Sequence, residues 1–229
     1  MSTITPTTRQ VRDPWQQIPA SWGTYQRLVR DRGEHGRPKY TFCDGRLTIV
    51  SPGLNHELMK VLVGGLIDDI LVGLRIPYRG AGETRYIKEA DRRSGTEPDL
   101  SYYLTNLALL RGKKRLILGT DPPPDLVVEV VSTHPLGDSL EVYRRFAVPE
   151  VWVCKSSVID FLVLGEDGHY LKSSTSAGLP FLSTEELSPW VFRQDLPDDS
   201  ELRHQFRAWV ADVLSKKRGQ GPFSPLEGD

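Results

Sequence analysis

The chain has 229 residues, of which 38% are hydrophobic and 26% charged, so it can form one globular domain with a sizeable buried core. Its 29 Lys and Arg residues nearly balance its 30 Asp and Glu residues, which gives a net charge of -1. This balance excludes a globally basic nucleic-acid-binding protein and a strongly acidic tail protein, but not a local basic cleft. Two cysteines, Cys43 and Cys154, are too few for a disulfide framework or a four-cysteine zinc site, which favours a reducing compartment.

Targeting and membrane-spanning segments are not expected. Residues 1–10 are rich in Thr and contain no apolar run, which argues against a signal peptide. The longest apolar stretch, 58–74, is interrupted by Lys60, Asp68 and Asp69, and it is too short and too charged to span a bilayer. We therefore expect a cytoplasmic protein that does not bind membranes.

The domain organisation is predicted to be simple, because the chain shows no internal repeat and no low-complexity tract. The first twenty residues carry Thr, Pro and Gln with little periodicity, and the last ten are rich in Gly, Pro and Ser. We therefore predict a flexible arm at 1–20, a single domain at 21–217 and a flexible tail at 218–229.

The N-terminal half is predicted to contain a short helix, a β-hairpin and a long helix. The short helix is expected over 21–31, with Ser21 as its N-cap. Residues 39–51 form a hairpin around Asp44-Gly45, which is a strong turn signal. Asn55 is expected to cap the long helix. Its apolar residues recur at intervals of four, as one buried face requires, and they are Leu58, Leu62, Leu66, Ile70 and Leu74.

The C-terminal half is predicted to consist mainly of strands. The most apolar strand covers 125–131, and its unalternating Leu and Val residues indicate burial on both faces. Further strands are expected at 83–88, 98–104, 150–154, 158–164 and 169–171, with a turn at 92–96, an ambiguous loop or short helix at 107–118, and helices at 139–146 and 200–217. A buried strand flanked by helices indicates an α/β or α+β sandwich rather than a bundle or a barrel.

The strongest chemical signal is a carboxylate inside the most apolar strand. Glu129 is flanked by Val on both sides, where an unpaired carboxylate costs several kcal/mol. Asp99 lies at a comparable place on the preceding strand, and two carboxylates on neighbouring strands are able to hold one Mg²⁺ ion that activates water for attack on phosphate. The simpler alternative is that Glu129 emerges at a solvated edge or meets an arginine.

Several separated motifs follow one another in order over residues 21–195. They are Asp44-Gly45 with Ser51-Pro52 and His56, then Glu97-Pro98-Asp99, then Pro123-Pro124-Asp125-Leu126-Val127-Val128-Glu129-Val130, and last Tyr143 with Val148-Pro149-Glu150-Val151-Trp152. Together they resemble the Uma-two family of endonucleases in the PD-(D/E)XK superfamily. The resemblance implies an α/β, restriction-endonuclease-like core, with a mixed central sheet flanked by helices and an N-terminal β-hairpin.

The resemblance also implies roles for individual residues. Asp99 and Glu129 match the two acidic ligands of Mg²⁺ (or Mn²⁺), and His56 matches a family position near the site. The implied function is a metal-dependent endonuclease that hydrolyses DNA, with DNA as its partner. For His56, the alternative is a packed histidine at a helix terminus.

The lysine of the superfamily is missing from its usual places, which are Val131 and Ser139 here. Lys88 is a replacement candidate, because it shares a strand face with Tyr86 and its strand is able to pair with the strand of Asp99. A solvated lysine at a strand edge is the alternative. The missing lysine leaves a second function open, which is a catalytically impaired nucleic-acid-binding or interaction module that keeps the nuclease fold.

A homodimer is a further expectation, because cutting both strands of a duplex needs two sites. The C-terminal helix with Phe206 and Trp209, and the strands after Glu150, offer apolar surface for a twofold interface. The same residues are equally suited to covering the protein's own core.

Overall fold

The structure is a computed structural model, and it describes residues 13–33, 36–88, 92–113, 116, 120–132, 134–193 and 195–219. The strands are β1 (Trp15–Pro19), β2 (Lys39–Cys43), β3 (Arg46–Val50), β4 (Arg79–Gly80), β5 (Tyr86–Ile87), β6 (Ser94–Thr96), β7 (Leu100–Tyr103), β8 (Leu126–Val130), β9 (Glu150–Cys154), β10 (Ile159–Leu164) and β11 (Tyr170–Ser173). The helices are α1 (Trp22–Arg32), α2 (Leu54–Gly73), α3 (Leu107–Leu110), α4 (Gly137–Arg145), α5 (Thr184–Val191), α6 (Asp199–Trp209) and α7 (Ser215–Gly219), with a π-helical turn (Val210–Leu214) before α7.

The first sheet is antiparallel and contains the predicted hairpin. Its strand order is β1-β3-β2-β6-β5. Asp44 and Gly45 both have positive φ, at 46° and 80°, as the tight turn between β2 and β3 requires. Tyr40 and Phe42 point from one face of β2 into a cluster with Tyr25 of α1. The opposite face of the hairpin therefore turns towards the rest of the molecule.

The second sheet is mixed, with the order β11-β10-β9-β8-β7-β4. Strands β8 and β9 are parallel and α4 connects them, whereas the other pairs are antiparallel. Every residue of β8 is buried, as predicted for a strand covered on both faces. Val128 packs on the side of α2, α5 and α6, and Val127 packs on the side of α4. The expected mixed central sheet between helices, with an N-terminal hairpin, is confirmed.

Two details of α2 differ from the sequence-based prediction. Gly53, rather than Asn55, is the N-cap, and Asn55 is exposed in the first turn. Leu66, Ile70 and Leu74 are buried as predicted, but Leu58 is 55% exposed. A spacing of four exceeds the 3.6 residues of a helical turn, so each step rotates the row by about 40° and carries its first member out of the core.

The stretch predicted as a turn at 92–96 contains strand β6. This strand pairs with both β2 and β5. Gly95 lies within the stretch predicted as a turn, yet it is buried in the sheet, and a Cβ there would lie 2.8 Å from the Cζ atom of Tyr25. Glycine at this position therefore makes room for an aromatic ring rather than a turn.

The two ends of the chain are described only in part. Trp15–Pro19, which the sequence assigns to the arm, form β1 and pair with β3. The rest of the predicted arm, 1–12, and residues 220–229 of the predicted tail lie outside the described residues. Phe206 of α6 is fully buried in the protein's own core. Among the helices that the structure describes, none has both the length and the apolar character needed to cross a bilayer.

Candidate active site

A small cavity of about 20 Å³ lies between the hairpin β2-β3, the start of α2 and the paired strands β7 and β8. This volume is enough for one water molecule or a single ion. The titratable side chains that line it are Lys39, His56, Glu97, Asp99, Glu129 and His134. Three of the four residues predicted from the sequence are therefore brought together.

Asp99 and Glu129 meet because of strand register. Strands β7 and β8 are antiparallel, with Leu100 opposite Val128, and continuing this register places Asp99 opposite Glu129. Residues opposite each other in a ladder project to the same face of the sheet. The backbone N–H of Val130 donates a hydrogen bond of 2.7 Å to Oδ2 of Asp99, which fixes that carboxylate at the edge of β8.

Lys39 enters the cavity from the hairpin. It is the first residue of β2 and lies opposite Val50 of β3. Because Tyr40 points to the other face, alternation directs Lys39 and Thr41 towards the second sheet. The ammonium group of Lys39 forms an ion pair with Asp99, and only 13% of the Lys39 side chain is exposed.

His56 enters from the first turn of α2 and is 2% exposed. Its Nε2 atom lies 3.1 Å from Oδ2 of Asp99. Burial alone lowers the pKa of His56, but the hydrogen bond and the charge of Asp99 outweigh it and raise the pKa above its usual value. The imidazole is therefore held as a hydrogen-bond donor to Asp99.

Asp99 stays ionised at the bottom of the cavity. Burial raises its pKa, but the charges and hydrogen bonds of Lys39 and His56 reverse the effect and hold the pKa well below the usual range of an aspartate. Burial likewise lowers the pKa of Lys39, but Asp99 and then Glu129 bring it above the usual value of a lysine. Lys39 and Asp99 therefore both carry their charges in this ion pair.

The pKa of Glu129 is shifted in the opposite direction to that of Asp99. Burial, followed by the negative charge of Asp99, raises its pKa to about 8. The hydroxyl of Tyr143 on α4 donates a hydrogen bond to Oε1 of Glu129. The carboxyl group is therefore kept protonated near neutral pH unless a further positive charge reaches it.

Glu97 also lines the cavity but is engaged elsewhere. Arg32 of α1 donates two hydrogen bonds to its carboxylate, one of them 2.6 Å long from Nη1 to Oε2. Both side chains are less than a tenth exposed. This bidentate pair joins α1 to the sheet, and it engages Glu97 with an arginine, unlike the other two carboxylates of the cavity, Asp99 and Glu129.

The chain matches the family model of Uma2, described as "Putative restriction endonuclease", over residues 22–197. The chain belongs to the Uma2 family. A crystal structure of a "putative nuclease belonging to DUF820" from Anabaena variabilis ATCC 29413 is similar in fold, with a TM-score of 0.52 at 14% sequence identity. The similarity covers 76% of this chain and 99% of that one. No curated protein is significantly similar to the chain.

This Uma2 chain has Ser139 and Val131 at the two places where the family resemblance implies a lysine. Ser139 lies at the cavity, with its hydroxyl 3.2 Å from that of Thr41. Lys88 follows the last residue of β5, is half-buried and is not among the cavity-lining residues. The lysine that the structure brings to Asp99 is Lys39, 60 residues earlier in the chain.

Sequence reasoning missed three residues of this site. Lys39 was detectable in principle, since the alternation of Tyr40 and Phe42 places it on the other hairpin face, but the sequence does not show what that face meets. Tyr143 belongs to the last of the sequence motifs, which assigns it no role at the site, and its ring is fully buried while its hydroxyl donates a hydrogen bond to Glu129. His134 lines the cavity with a buried Nδ1 atom that has no hydrogen-bond partner among the described residues, and its sequence spacing gave no signal.

The donor set fits a small hard cation. Within the described ranges, no group of three or more His, Cys, Asp or Glu side chains is arranged to hold a metal ion. Mg²⁺, however, is commonly bound through one or two carboxylates with water completing its shell. Asp99 and Glu129 supply two such carboxylates, and a cation between them would favour the ionised form of Glu129, which burial and then the charge of Asp99 disfavour.

Proposed function

We propose that this protein is a Mg²⁺- or Mn²⁺-dependent endonuclease that hydrolyses phosphodiester bonds of DNA. The observation that carries the proposal is the convergence of Asp99, Glu129 and the ammonium group of Lys39 on one cavity in a chain of the Uma2 family. A bound divalent ion supplies Lewis-acid activation of water and neutralises charge on the phosphate.

The residues that line the cavity have different roles around such an ion. Asp99 and Glu129 hold the ion through carboxylate oxygens. Lys39 offers a fixed positive charge close to these carboxylates, where a phosphate oxygen gains negative charge during attack. His56 is a positioning residue, because its Nε2 orients Oδ2 of Asp99.

A second candidate function is a nucleic-acid-binding module that keeps the nuclease fold without turnover. One observation favours it, which is that protein donors already occupy both oxygens of Asp99. Lys39 contacts Oδ1, while His56 and the N–H of Val130 contact Oδ2. Metal binding then requires that at least one of these contacts yields.

A cleavage assay with matched variants separates the two candidates. Purified protein is incubated with supercoiled plasmid and Mg²⁺ or Mn²⁺, with EDTA as the blank. Nicking that is lost in Glu129→Gln but retained in Glu150→Gln supports the endonuclease, because Glu150 is also a buried glutamate but lies outside the cavity. DNA binding without metal-dependent cleavage supports the binding module.

We further propose that the active form on duplex DNA is a symmetric homodimer, since cutting both strands needs two sites. The mass by light scattering at micromolar concentration is then twice the 25.8 kDa of one chain. A mass of one chain, in the presence of a short duplex as well as without it, contradicts the dimer.

A further inference from the structure

A second concave surface lies between α5 and α6, apart from the cavity of Asp99 and Glu129. This surface, which we call the tryptophan groove, has a volume of about 420 Å³. It is lined by Glu185, Glu186, Pro189, Trp190, Arg193 and Trp209. None of these residues takes part in the proposed nuclease chemistry.

The floor of the tryptophan groove is aromatic. The rings of Trp190 and Trp209 are 5.7 Å apart, and both contact the buried ring of Phe206, at 5.3 and 5.4 Å. Both indoles are only half-buried. Partly exposed tryptophans next to a proline are a surface on which proline and aromatic side chains pack well.

The helix type changes directly after Trp209, which lines the groove. The chain changes from α-helical to π-helical hydrogen bonding at Val210, directly after Trp209. Such π turns interrupt regular helix packing and often occur at functional surfaces. The turn leads into α7, whose residue Lys217 forms an ion pair with Glu186 at the groove wall.

This ion pair brings the end of α7 to the groove. Glu186 and Trp190 are one helical turn apart on α5, which is a rise of about 6 Å. Helix α7 ends at Gly219, two residues after Lys217, so the following residues start beside the groove. Six residues separate Lys217 from Phe223, and an extended chain of this length spans up to about 20 Å.

The residues that follow have the composition that the groove requires. The segment 220–229 reads Gln-Gly-Pro-Phe-Ser-Pro-Leu-Glu-Gly-Asp. Pro222 and Pro225 have the Pro-x-x-Pro spacing that favours an extended polyproline II conformation, with Phe223 between them. Glu227 carries a charge opposite to that of Arg193, whose guanidinium lies over the ring of Trp190 and also forms an exposed ion pair with Asp195.

We propose that the segment 220–229 docks into the tryptophan groove of its own chain, with Pro222 and Phe223 against Trp190 and Trp209. Lys217 and Glu186 anchor the start of the segment. Because the segment is covalently attached, its effective concentration at the groove is in the millimolar range, so even a weak contact is populated. The inference does not depend on the proposed nuclease activity.

A fluorescent label on the full chain tests this docking. Both native cysteines are buried, at 0% and 1% exposure, so a bimane reagent labels an introduced Ser224→Cys selectively. Tryptophan quenches bimane only at short range. We expect emission to rise about twofold when Trp190→Phe and Trp209→Phe are combined, since a tethered segment is docked for a large part of the time. Trp15→Phe, which changes an exposed tryptophan of β1, leaves emission unchanged.

A second variant tests the segment itself. Phe223→Ser in the labelled chain releases the quenching to the same extent as loss of the two tryptophans. The proposal is overturned if neither change raises the emission. It is also overturned if quenching disappears on dilution, because the groove is then occupied by the segment of another copy.

Discussion

Lys39 on β2 and Asp99, immediately before β7, form an ion pair that joins the two sheets across a separation of 60 residues. The first sheet therefore contributes the positive charge, and the second sheet contributes the two carboxylates. Because Lys39 is a residue of the hairpin and lines the same cavity as Asp99 and Glu129, the position of the hairpin determines whether the site is complete.

Replacement of Lys39 is expected to impair both cleavage and stability. Lys39→Met removes a charge donor at the phosphate, so the rate of plasmid nicking should fall about 10²- to 10³-fold. It also leaves the buried Asp99 without its strongest partner, which lowers the free energy of unfolding by about 3–5 kcal/mol. The measurements are nicking rates below the melting temperature of the variant and urea unfolding.

Two comparison variants sharpen the test of Lys39. Lys39→Arg keeps the charge and should recover most of the stability but not the activity, since a planar guanidinium is not a point charge. Lys88→Met examines the lysine that the sequence suggested. A loss of cleavage in Lys88→Met equal to that in Lys39→Met would contradict the assignment of the charge-stabilising lysine to Lys39 and favour Lys88.

The pH dependence of stability should reveal Glu129. Its folded-state pKa of about 8 lies above the ordinary value of 4.5, so the folded protein keeps a proton that the unfolded chain releases. The free energy of unfolding of the metal-free protein therefore falls as pH rises from about 4.5 to 8 and changes little from this group above that. The pKa of His56 is also raised in the folded protein, so His56 affects stability in the same direction. Its contribution to the free energy of unfolding is lost as the pH rises through its folded-state pKa.

The matched variant for this measurement is Glu129→Gln, unfolded by urea in EDTA at pH 5 and pH 8. Its loss of stability between the two pH values should be smaller than that of the wild type. The pKa of Glu150 is also raised by burial, but this residue is present in both proteins, so its contribution cancels in the comparison. An identical loss in both proteins contradicts the assignment of Glu129.

Divalent metal should stabilise the protein through the same pair of carboxylates. A ligand at ten times its Kd adds about 1.4 kcal/mol to the free energy of unfolding. For a domain of this size, such a gain raises the melting temperature by roughly 3–6 °C. Mg²⁺ or Mn²⁺ should produce this shift in the wild type and none in Glu129→Gln, and absence of binding by calorimetry at millimolar metal would falsify the metal site.

The sequence predicts most of the fold because local signals and burial agree there. Asp44-Gly45 predicts the hairpin, and the apolar run around Val128 predicts a strand covered on both faces. Glu129 stands out for the same reason, since a carboxylate in such a strand needs a partner. These inferences need only residues that are close together in the chain.

The remaining part of the site depends on contacts between distant residues. Lys39 is an ordinary strand residue until the fold brings the start of β2 to the carboxylate of Asp99. His134 lies in the connection between β8 and α4, and no periodic pattern assigns its side chain a direction. The errors in the predicted elements have similar causes. Gly95 belongs to a strand rather than a turn because the ring of Tyr25 packs against it. Asn55 is not the N-cap of α2 because the helix begins earlier, directly after Pro52-Gly53.

A fourth prediction concerns a buried glutamate that belongs to the core rather than to the site. Glu150 at the start of β9 is fully buried, and its carboxylate accepts hydrogen bonds from Nε1 of Trp152 at 2.7 Å, Oγ of Ser176 at 3.0 Å and the N–H of Gly178 at 2.8 Å. Glu150→Ala leaves Nε1 of Trp152 and Oγ of Ser176 buried without this acceptor, and each such group costs about 1–3 kcal/mol.

We therefore expect Glu150→Ala to lower the free energy of unfolding by about 3–5 kcal/mol or to prevent folding. Glu150→Gln keeps one acceptor oxygen with nearly the same shape, so its loss should be less than half as large. Urea unfolding monitored by far-UV circular dichroism gives both values. Because Glu150 does not line the cavity of Asp99 and Glu129, Glu150→Gln should nick plasmid at the wild-type rate below its melting temperature. Equal destabilisation by the two substitutions would show that the hydrogen bonds of this carboxylate do not stabilise the start of β9.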